Sequence, residues 1–462
     1  MAPTDKRKAR ALLGLAIFAA FGAALCQSPQ PLPDHPLSVK DCVRTAMERN
    51  PATAAMLHSS RSAQARVGLD KAAYWPTADV VGSLQRSYAE PEGGTSRGGL
   101  LFSPATSTSD NATLSAQYTI WDSGQRKAAV QGAQASFEAS GANYILAVQN
   151  LAQAVESAFY TLQGAQWALE VAKDTLSQAD FQLDMAKARN DVGLVARSDV
   201  LKAATTQADA RLSVIQAEAL LSTSRASLAT DMGLPSDSNL QIVPANREFT
   251  PPQLPDWASN WARAQTDLPE IKAAFQSTES FRYAYLGAKA AYLPTVTANG
   301  TAGLFDTGNW PNRQEWSASV TLRVPVFTGF ASKYLALQAQ EAWESSKSDL
   351  QSTVLGAEKA AYAARIALDE AIQAVPAAEA YVASAQENLD VANGQYKNGL
   401  GSMLEVNDAL AALSSAKYRL ISARLSVATA MIAWKRATGM DLLEGIEVPS
   451  ISPQHPDGEQ KP

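Results

Sequence analysis

The chain repeats its own sequence order, and this duplication limits the possible folds more than any other feature. The motif Ala72-Ala73-Tyr74-Trp75-Pro76 returns as Ala290-Ala291-Tyr292-Leu293-Pro294, at an offset of 218 positions (294 − 76). Asn50-Pro51 returns as Leu268-Pro269 at the same offset. Self-similarity at a fixed spacing indicates structurally equivalent units. We place the first unit at residues 37–235 and the second at residues 256–440.

The later part of each unit repeats at a shorter offset. Asp191-Val192-Gly193-Leu194 returns as Lys397-Asn398-Gly399-Leu400, at 206 positions (399 − 193). Asp231-Met232-Gly233 returns as Ala437-Thr438-Gly439 at the same offset. The offsets differ by 12 (218 − 206), and the difference falls before Trp121, where the first unit carries the glycine-rich run 93–99. An exposed loop between two strands accommodates an insertion of this kind.

Each unit contains two segments in which apolar and polar residues alternate. They predict four strands, at about residues 77–88, 112–120, 295–304 and 315–324. In the second of these, Ala112, Leu114 and Ala116 alternate with Thr113 and Ser115. Segments of about ten alternating residues are typical of membrane β-barrels. A soluble β-sandwich shows the same alternation, so the strands alone leave both structures open.

Long helical segments follow each pair of strands. No proline occurs between Ala105 and Leu234, and apolar residues recur at helical spacing, which predicts a helix from Gly124 to Asn190. At 1.5 Å per residue such a helix is roughly 100 Å long. In the second unit we expect a bend or an irregular turn just before Pro376, because proline removes a backbone hydrogen bond. Residues 234–256 and 441–462 are expected to form an equatorial region beside the helices.

Four strands cannot close a barrel, and open sheet edges are not tolerated in lipid. Three copies would give twelve strands, an even number within the known range. The predicted fold class is therefore mixed but mainly α. It combines a long antiparallel α-helical coiled-coil tunnel with four transmembrane β-strands per protomer, which form a twelve-stranded barrel in a homotrimer.

The N-terminal segment is typical of a secretory signal peptide, which we place at residues 1–26. Basic residues 6–10 precede an apolar run from Ala11 to Leu25, which is too short to span a bilayer. A retained anchor helix is the alternative interpretation. Cys26 is a possible lipidation site, although Leu25 stands where a lipoprotein signal requires a small residue. Cys42 is expected to be a small buried hydrophobic residue.

Composition disfavours several other functions. The formal net charge is −6, which disfavours a nucleic-acid partner. The three histidines, at 35, 58 and 455, show no metal-ligand spacing, and none is placed to activate a serine or cysteine nucleophile. We therefore expect no catalytic residues, no metal site, no cofactor and no enzyme activity.

Several motifs of the chain resemble those of the TolC-like outer-membrane efflux protein family. The opening of the family is matched by Leu37-Ser38-Val39-Lys40, Asn50-Pro51 and residues 72–76, and its two strand-to-helix returns by residues 118–124 and 324–329. Its two hairpin tips are matched by Val192-Gly193-Leu194 with Asp199-Val200 and by Gly399-Leu400 with Glu405-Val406. Each motif is weak, but their doubled order runs from Leu37 to Gly439. The resemblance implies a homotrimeric duct in the outer-membrane lipid that extends into the periplasm. Its partners would be a periplasmic adaptor (membrane fusion) protein and an inner-membrane transporter.

The resemblance also implies a cargo class, drug or small-molecule efflux. A type I protein secretion duct shares this architecture and stays open as an alternative. A soluble periplasmic coiled-coil scaffold is a further alternative, which leaves the alternating strands unexplained.

The same resemblance assigns residues to a gate at the tunnel entrance. Glu405 and Asp408 match an acidic ring, and their i, i+3 spacing places both on one helix face. A solvated acidic helix start is the alternative, because negative charge is favourable at a helix N-terminus. Asp199 and Tyr396 match a latch between two helical hairpins. Gly401 stands where the family carries an arginine, so we expect Arg197 or Lys397 to supply that charge, or the charge to be missing.

Docking of the adaptor is expected at the two hairpin turns. The residues at these positions are Val192, Gly193, Leu194, Asn398, Gly399 and Leu400. Both glycines also fit turns that require a positive φ angle.

Overall fold

The computed structural model describes residues 35–89, 105–243, 256–306 and 313–440. The proposed signal peptide with Cys26, the run 93–99 and residues 441–462 lie outside the described residues, as does most of 234–256.

The described residues form eight helices and four strands in a doubled order. The first set is α1 (Val39–Arg49), α2 (Pro51–Ala72), β1 (Thr77–Ala89), β2 (Ala105–Trp121), α3 (Gln125–Asp191) and α4 (Arg197–Asp231). The second set is α5 (Trp257–Asp267), α6 (Pro269–Ala290), β3 (Thr295–Asp306), β4 (Arg313–Arg323), α7 (Ala331–Lys397) and α8 (Met403–Ala437).

The duplication is visible in the helix lengths. Corresponding helices have equal lengths: 11 residues for α1 and α5, 22 for α2 and α6, 67 for α3 and α7, and 35 for α4 and α8. At 1.5 Å per residue, α3 and α7 are each roughly 100 Å long. The two units are therefore equivalent in structure as well as in sequence order.

Four long helices lie side by side in the order α4, α3, α8, α7. Much of the buried surface between them comes from alanine, as in the series Ala165, Ala168, Ala172, Ala179 and Ala186 along α3. Small side chains let neighbouring helices approach closely, so the interfaces are narrow. Since α4 packs mainly against α3, with a smaller contact to α8, and α7 packs against α8, these two helices form the edges of this helical layer.

A hydrophobic cluster at mid-height ties α1 to the long helices. Cys42 and Val43 of α1 pack in this cluster with Val155 and Phe159 of α3 and Met232 after α4. Burial, helped by the neighbouring Asp41 carboxylate, raises the pKa of the Cys42 thiol to about 12. The thiol is therefore protonated and unreactive at neutral pH, and the expectation that Cys42 is a buried hydrophobic residue is confirmed.

No irregular turn occurs before Pro376, so that part of the prediction is wrong, while a bend of the helix stays a prediction. Helix α7 is continuous from Ala331 to Lys397. Pro376 lies on the exposed side of the helix, while Leu368, Ala371 and Val375 pack against Trp434 of α8 in one buried cluster. This packing holds the turns before the proline in helical geometry, although proline still removes one backbone hydrogen bond.

The strands form one antiparallel sheet in the order β1-β2-β3-β4. The structure starts β2 at Ala105, seven residues before the expected position 112 (112 − 105), and ends β3 at Asp306. Residues paired across an antiparallel ladder share a face. One row of partners is Val80, Leu114, Ala302 and Trp316; the next row is Asp79, Ser115, Thr301 and Ser317. The sheet therefore has one apolar face and one polar face.

Neither face of the sheet is covered within the protomer. Val80, Leu114, Trp316 and Val320 are all exposed on the apolar face. Within the described residues, no helix is long and apolar enough to cross a membrane.

We predict that Leu114→Arg, near the centre of β2, will destabilise the membrane-inserted protein by about 2–4 kcal/mol, because it would place a charge on the apolar face that we expect to contact lipid. Val80, Ala116, Val320 and Leu322 share this face and should behave alike. The measurement is the unfolding free energy in lipid vesicles. Ser115→Arg is the matched control, one residue along on the polar face, and equal losses for both variants would contradict the assignment of faces.

Candidate functional site

The far ends of the long helices form two helical hairpins with the same turn. Hairpin one is α3, residues 192–196 and α4; hairpin two is α7, residues 398–402 and α8. Gly193 and Gly399 have φ angles of +76° and +73°, which favour glycine. The N–H of Leu194 donates to the Arg189 carbonyl, as that of Leu400 does to the Gln395 carbonyl, both at 2.9 Å. Both turns therefore close the preceding helix in the manner of a Schellman motif.

Apolar side chains project from both turns. Val192 is 70% exposed, Leu194 68% and Leu400 81%. The Asn398 side-chain amide donates to the Gly394 carbonyl at 3.0 Å, which helps to fix the second turn. Apolar residues exposed together at a chain reversal are available for contact with another molecule.

Below the turns, a shared hydrophobic cluster joins the two hairpins. Ala186 of α3 and Ala203 of α4 pack with Met403, Val406 and Leu410 of α8. These α8 residues line the buried face of the helix. Its outward face carries the charged residues Glu405 and Asp408, both of which are exposed.

Glu405 caps the start of α8, which agrees with the alternative that the sequence analysis gave for this residue. Its carboxylate accepts from the Ser402 N–H at 3.1 Å, and its own N–H donates to the Ser402 hydroxyl at 3.4 Å. This is a capping box at the start of α8. The local structure therefore explains why an acidic residue stands at 405, but it leaves Asp408 unexplained.

The duplicated positions in hairpin one carry a different charge pattern. Asp199 corresponds to Glu405, and Lys202 corresponds to Asp408, at the same offset of 206 (405 − 199). The Lys202 ammonium lies 3.8 Å from the Asp199 carboxylate, so this pair is neutral overall. Hairpin two thus presents two negative charges where hairpin one presents none in sum.

The expected latch between Tyr396 and Asp199 does not form a hydrogen bond in this protomer. Tyr396 is only 2% exposed, and its buried hydroxyl has no hydrogen-bond partner among the described residues. The pKa of Tyr396 is raised by burial and by the Asp199 carboxylate, while Arg189 opposes the rise. The two latch residues are therefore close in space, but Asp199 pairs with Lys202.

A charged contact at the ends of the hairpins comes from Arg189, which the sequence analysis missed. One guanidinium nitrogen donates to the carbonyls of Tyr396 at 2.6 Å and Lys397 at 3.0 Å. Neither expected substitute makes these hydrogen bonds, since Arg197 is exposed and the Lys397 ammonium lies over the Phe181 ring of α3. The one available signal was a basic residue in the last turn of a helix, which is common and does not identify its partner.

At the opposite end, tight returns join the sheet to the long helices. Asp122 after β2 accepts from the backbone and side chain of Arg126, at 2.9 and 2.7 Å. The Arg126 guanidinium also reaches the Ala73 carbonyl and the Tyr74 ring. The second return has Thr328 at the position of Asp122.

Aromatic side chains gather at these returns and remain exposed. They are Tyr74, Trp75, Trp121, Tyr292, Phe327 and Phe330. They stand where the helices and the strands join. A band of aromatic residues beside an apolar sheet face is typical of a membrane–water boundary.

No group of histidine, cysteine and acidic residues in the described parts of the chain is arranged to hold a metal ion.

The buried Tyr396 hydroxyl generates a prediction. Tyr396→Phe should leave thermal stability unchanged or raise it, because an unpaired buried hydroxyl carries a desolvation cost of about 1–3 kcal/mol. Thermal unfolding followed by circular dichroism is the measurement. Tyr418→Phe is the control, because that hydroxyl donates to the Ala168 carbonyl and its loss should lower stability. A clear loss for Tyr396→Phe would show that the hydroxyl has a partner in the assembled protein.

Comparison with known proteins agrees with these features. The family model described as outer membrane efflux protein matches residues 42–234 and 262–440. Outer membrane efflux protein BepC of Brucella suis is 25% identical over 411 residues, 87% of this chain and 86% of BepC. Protein CyaE of Bordetella pertussis is 28% identical over 311 residues; the match covers 64% of this chain and 62% of CyaE.

Solved structures show the same fold. The outer-membrane channel OprN aligns with a TM-score of 0.76 at 18% identity, covering 87% of this chain and 90% of OprN. Together with the matched family model, which spans both units, this confirms the TolC-like fold and the expectation of a channel protein in place of an enzyme. The chain belongs to the outer membrane efflux protein family and is an outer-membrane protein of the TolC-like type.

Proposed function

We propose that the chain is one protomer of a homotrimeric export duct. This duct would carry cargo from an inner-membrane transporter, through a periplasmic adaptor, across the periplasm and the outer membrane. The observation that carries this proposal is the open sheet. Strands β1 and β4 are its edges, and backbone groups at a sheet edge have no partner in lipid.

Further copies of the chain can satisfy these edges without changing the sheet pattern. Because neighbouring strands alternate in direction, β4 of one copy runs antiparallel to β1 of the next. Three copies give twelve antiparallel strands, with the apolar faces toward lipid and the polar faces toward the lumen.

The helical layer supports the same arrangement. Its edge helices carry apolar residues that the protomer leaves exposed. They are Leu201, Leu212, Ile215 and Leu220 on α4 and Leu355, Ile366 and Val391 on α7. In a closed ring, α4 of one copy faces α7 of the next, so both stripes become buried. The helices would then form a tunnel that continues the barrel.

The hairpin turns are suited to contact with the adaptor. Val192, Leu194 and Leu400 are exposed at the far end of the helices from the sheet, and Gly193, Asn398 and Gly399 shape the turns around them. A partner that reaches the duct from the inner membrane meets this end first. Small-molecule efflux is the cargo class we favour, because the name of BepC describes an efflux protein.

Glu405 and Asp408 are proposed to line the entrance. Three protomers would place two carboxylates each around the axis. The difference in charge between the two hairpins supports this proposal, since Asp408 stands at the position where Lys202 neutralises Asp199 in hairpin one. A ring of carboxylates selects cations over anions.

Assembly is tested by a charge on the edge helix. Ile215→Glu should convert the trimer into monomers in detergent, because it removes about 1.5–3 kcal/mol of apolar burial per interface and places a charge there. Native mass spectrometry measures the oligomer. Gln216→Glu adds the same charge one residue along and should stay trimeric. Monomeric wild type, or equal behaviour of the two variants, would contradict the proposed ring.

The entrance is tested by removing its charge. Glu405→Gln with Asp408→Asn should shift the reversal potential in a salt gradient toward zero, since the negative field that attracts cations is lost. Glutamine at 405 still serves the capping box, so folding is preserved. The control, Asp199→Asn with Lys202→Gln, changes the matching positions of hairpin one without changing net charge and should leave selectivity intact. Unchanged selectivity in the first variant would place the gate elsewhere.

A further inference from the structure

Arg189 lies where the ends of the two hairpins meet. It belongs to the last turn of α3, and its guanidinium reaches the last turn of α7. It makes two hydrogen bonds, to the carbonyls of Tyr396 and Lys397. Its Cζ atom also lies 5.1 Å from the centre of the Tyr396 ring. In the part of the chain that the structure describes, these two hydrogen bonds join the two hairpin ends directly.

The carbonyl acceptors at the end of α7 make this position favourable for a cation. The last carbonyls of a helix have no partner within the helix, and the helix dipole gives them added negative character. Arginine keeps its charge and offers several donors in a fixed plane. Because Tyr396 is almost fully buried, the contact is shielded from water on one side.

Position 401 has no side chain and is closely packed. A Cβ atom added to Gly401 would lie 3.0 Å from the Gln395 Cβ and 3.0 Å from a Glu405 carboxylate oxygen. Any side chain there would require small shifts of these two neighbours. In this chain the charged donor therefore comes from Arg189 and not from the position where the family resemblance places an arginine.

Comparison of the two units shows that the contact runs from hairpin one to hairpin two without an equivalent in the reverse sense. Arg189 corresponds to Gln395 in the second unit (395 − 189 = 206), and Tyr396 corresponds to Asn190. The guanidinium is thus present on hairpin one, and its acceptors belong to hairpin two. Both helix ends close through main-chain hydrogen bonds, so the guanidinium is not needed to close its own helix end.

We propose that Arg189 is the latch that fastens hairpin two to hairpin one, and that widening of the entrance requires its hydrogen bonds to break. This inference rests on the proposed duct and its gate. Movement of one hairpin relative to the other separates the Arg189 side chain from the α7 carbonyls. Loss of the guanidinium therefore favours the wide state.

The experiment is single-channel recording of the full trimer in planar bilayers. Arg189→Gln should raise the ratio of open to closed time on the order of tenfold, since hydrogen bonds from a charged donor are the stronger kind. Arg189→Lys keeps the charge but loses the planar fork, so its increase should be smaller. Lys187→Gln is the control: it removes a charge from the same helix end, where Lys187 pairs with the exposed Asp184 of its own helix, and should match the wild type.

Two further readouts separate the latch from a purely structural role. Ion selectivity of Arg189→Gln should equal that of the wild type, because Glu405 and Asp408 are unchanged. Native mass spectrometry should show an intact trimer. If wild type forms no conducting trimer, the proposed function itself fails. If wild type conducts and Arg189→Gln opens no more often than Lys187→Gln, the latch is overturned while the duct stands. If Arg189→Gln does not form a trimer, the open-to-closed ratio of Arg189→Lys is compared with that of Lys187→Gln. Equal ratios then overturn the latch.

Discussion

The unpaired backbone at the two edges of the sheet is the constraint on which the rest of the structure depends. Water can satisfy such groups on a soluble protein, but the hydrocarbon core of a membrane cannot. A protomer with four strands is therefore incomplete in the outer membrane. Contact between these edges and other copies of the chain would explain the strand alternation, the exposed apolar stripes on α4 and α7, and the doubled sequence.

The helices meet a different requirement, since they must stay regular over roughly 100 Å. Isolated helices gain little from propensity alone, and most of their stability comes from tertiary packing. Here the helix interfaces contain many alanines, with large buried side chains such as Trp434, Leu368 and Tyr396 at intervals. The same packing helps to explain how Pro376 is tolerated, because Leu368, Ala371 and Val375 just before it are buried against α8.

Much of the fold could be predicted from the sequence because its signals are repeated. The doubled motifs and the alternation predicted four strands and the long helices. The early start of β2 was missed because Thr108, Ser109 and Asp110 are polar and show no alternation; that segment is a strand because β1 continues opposite it. The returns were located correctly, but the Arg126 contacts to the Ala73 and Ile120 carbonyls follow from a tertiary arrangement that no local pattern records.

The site was less predictable for a related reason. The turns and Glu405 carry local signals, whereas the contact between hairpins depends on the axial alignment of α3 with α7. Family resemblance pointed to the Tyr396 hydroxyl, yet the acceptors in use are main-chain carbonyls, which every residue possesses.

The two units share one framework, and their differences indicate where function has been added. The helix lengths are equal, both turns use a glycine with positive φ, and some equivalent positions are buried in both long helices, such as Leu162 with Leu368 and Ala179 with Ala385. Against this background several substitutions between the units change charge, among them Lys202 against Asp408, Arg189 against Gln395, and Asp122 against Thr328. Folding alone would tolerate either residue at such positions, since each unit adopts the same backbone with its own choice. The first two lie at the hairpin ends, where the units must differ if hairpin two is to carry the acidic ring while hairpin one supplies the cation that holds it. In the proposed duct, this asymmetry is what would convert a duplicated scaffold into an entrance that can close.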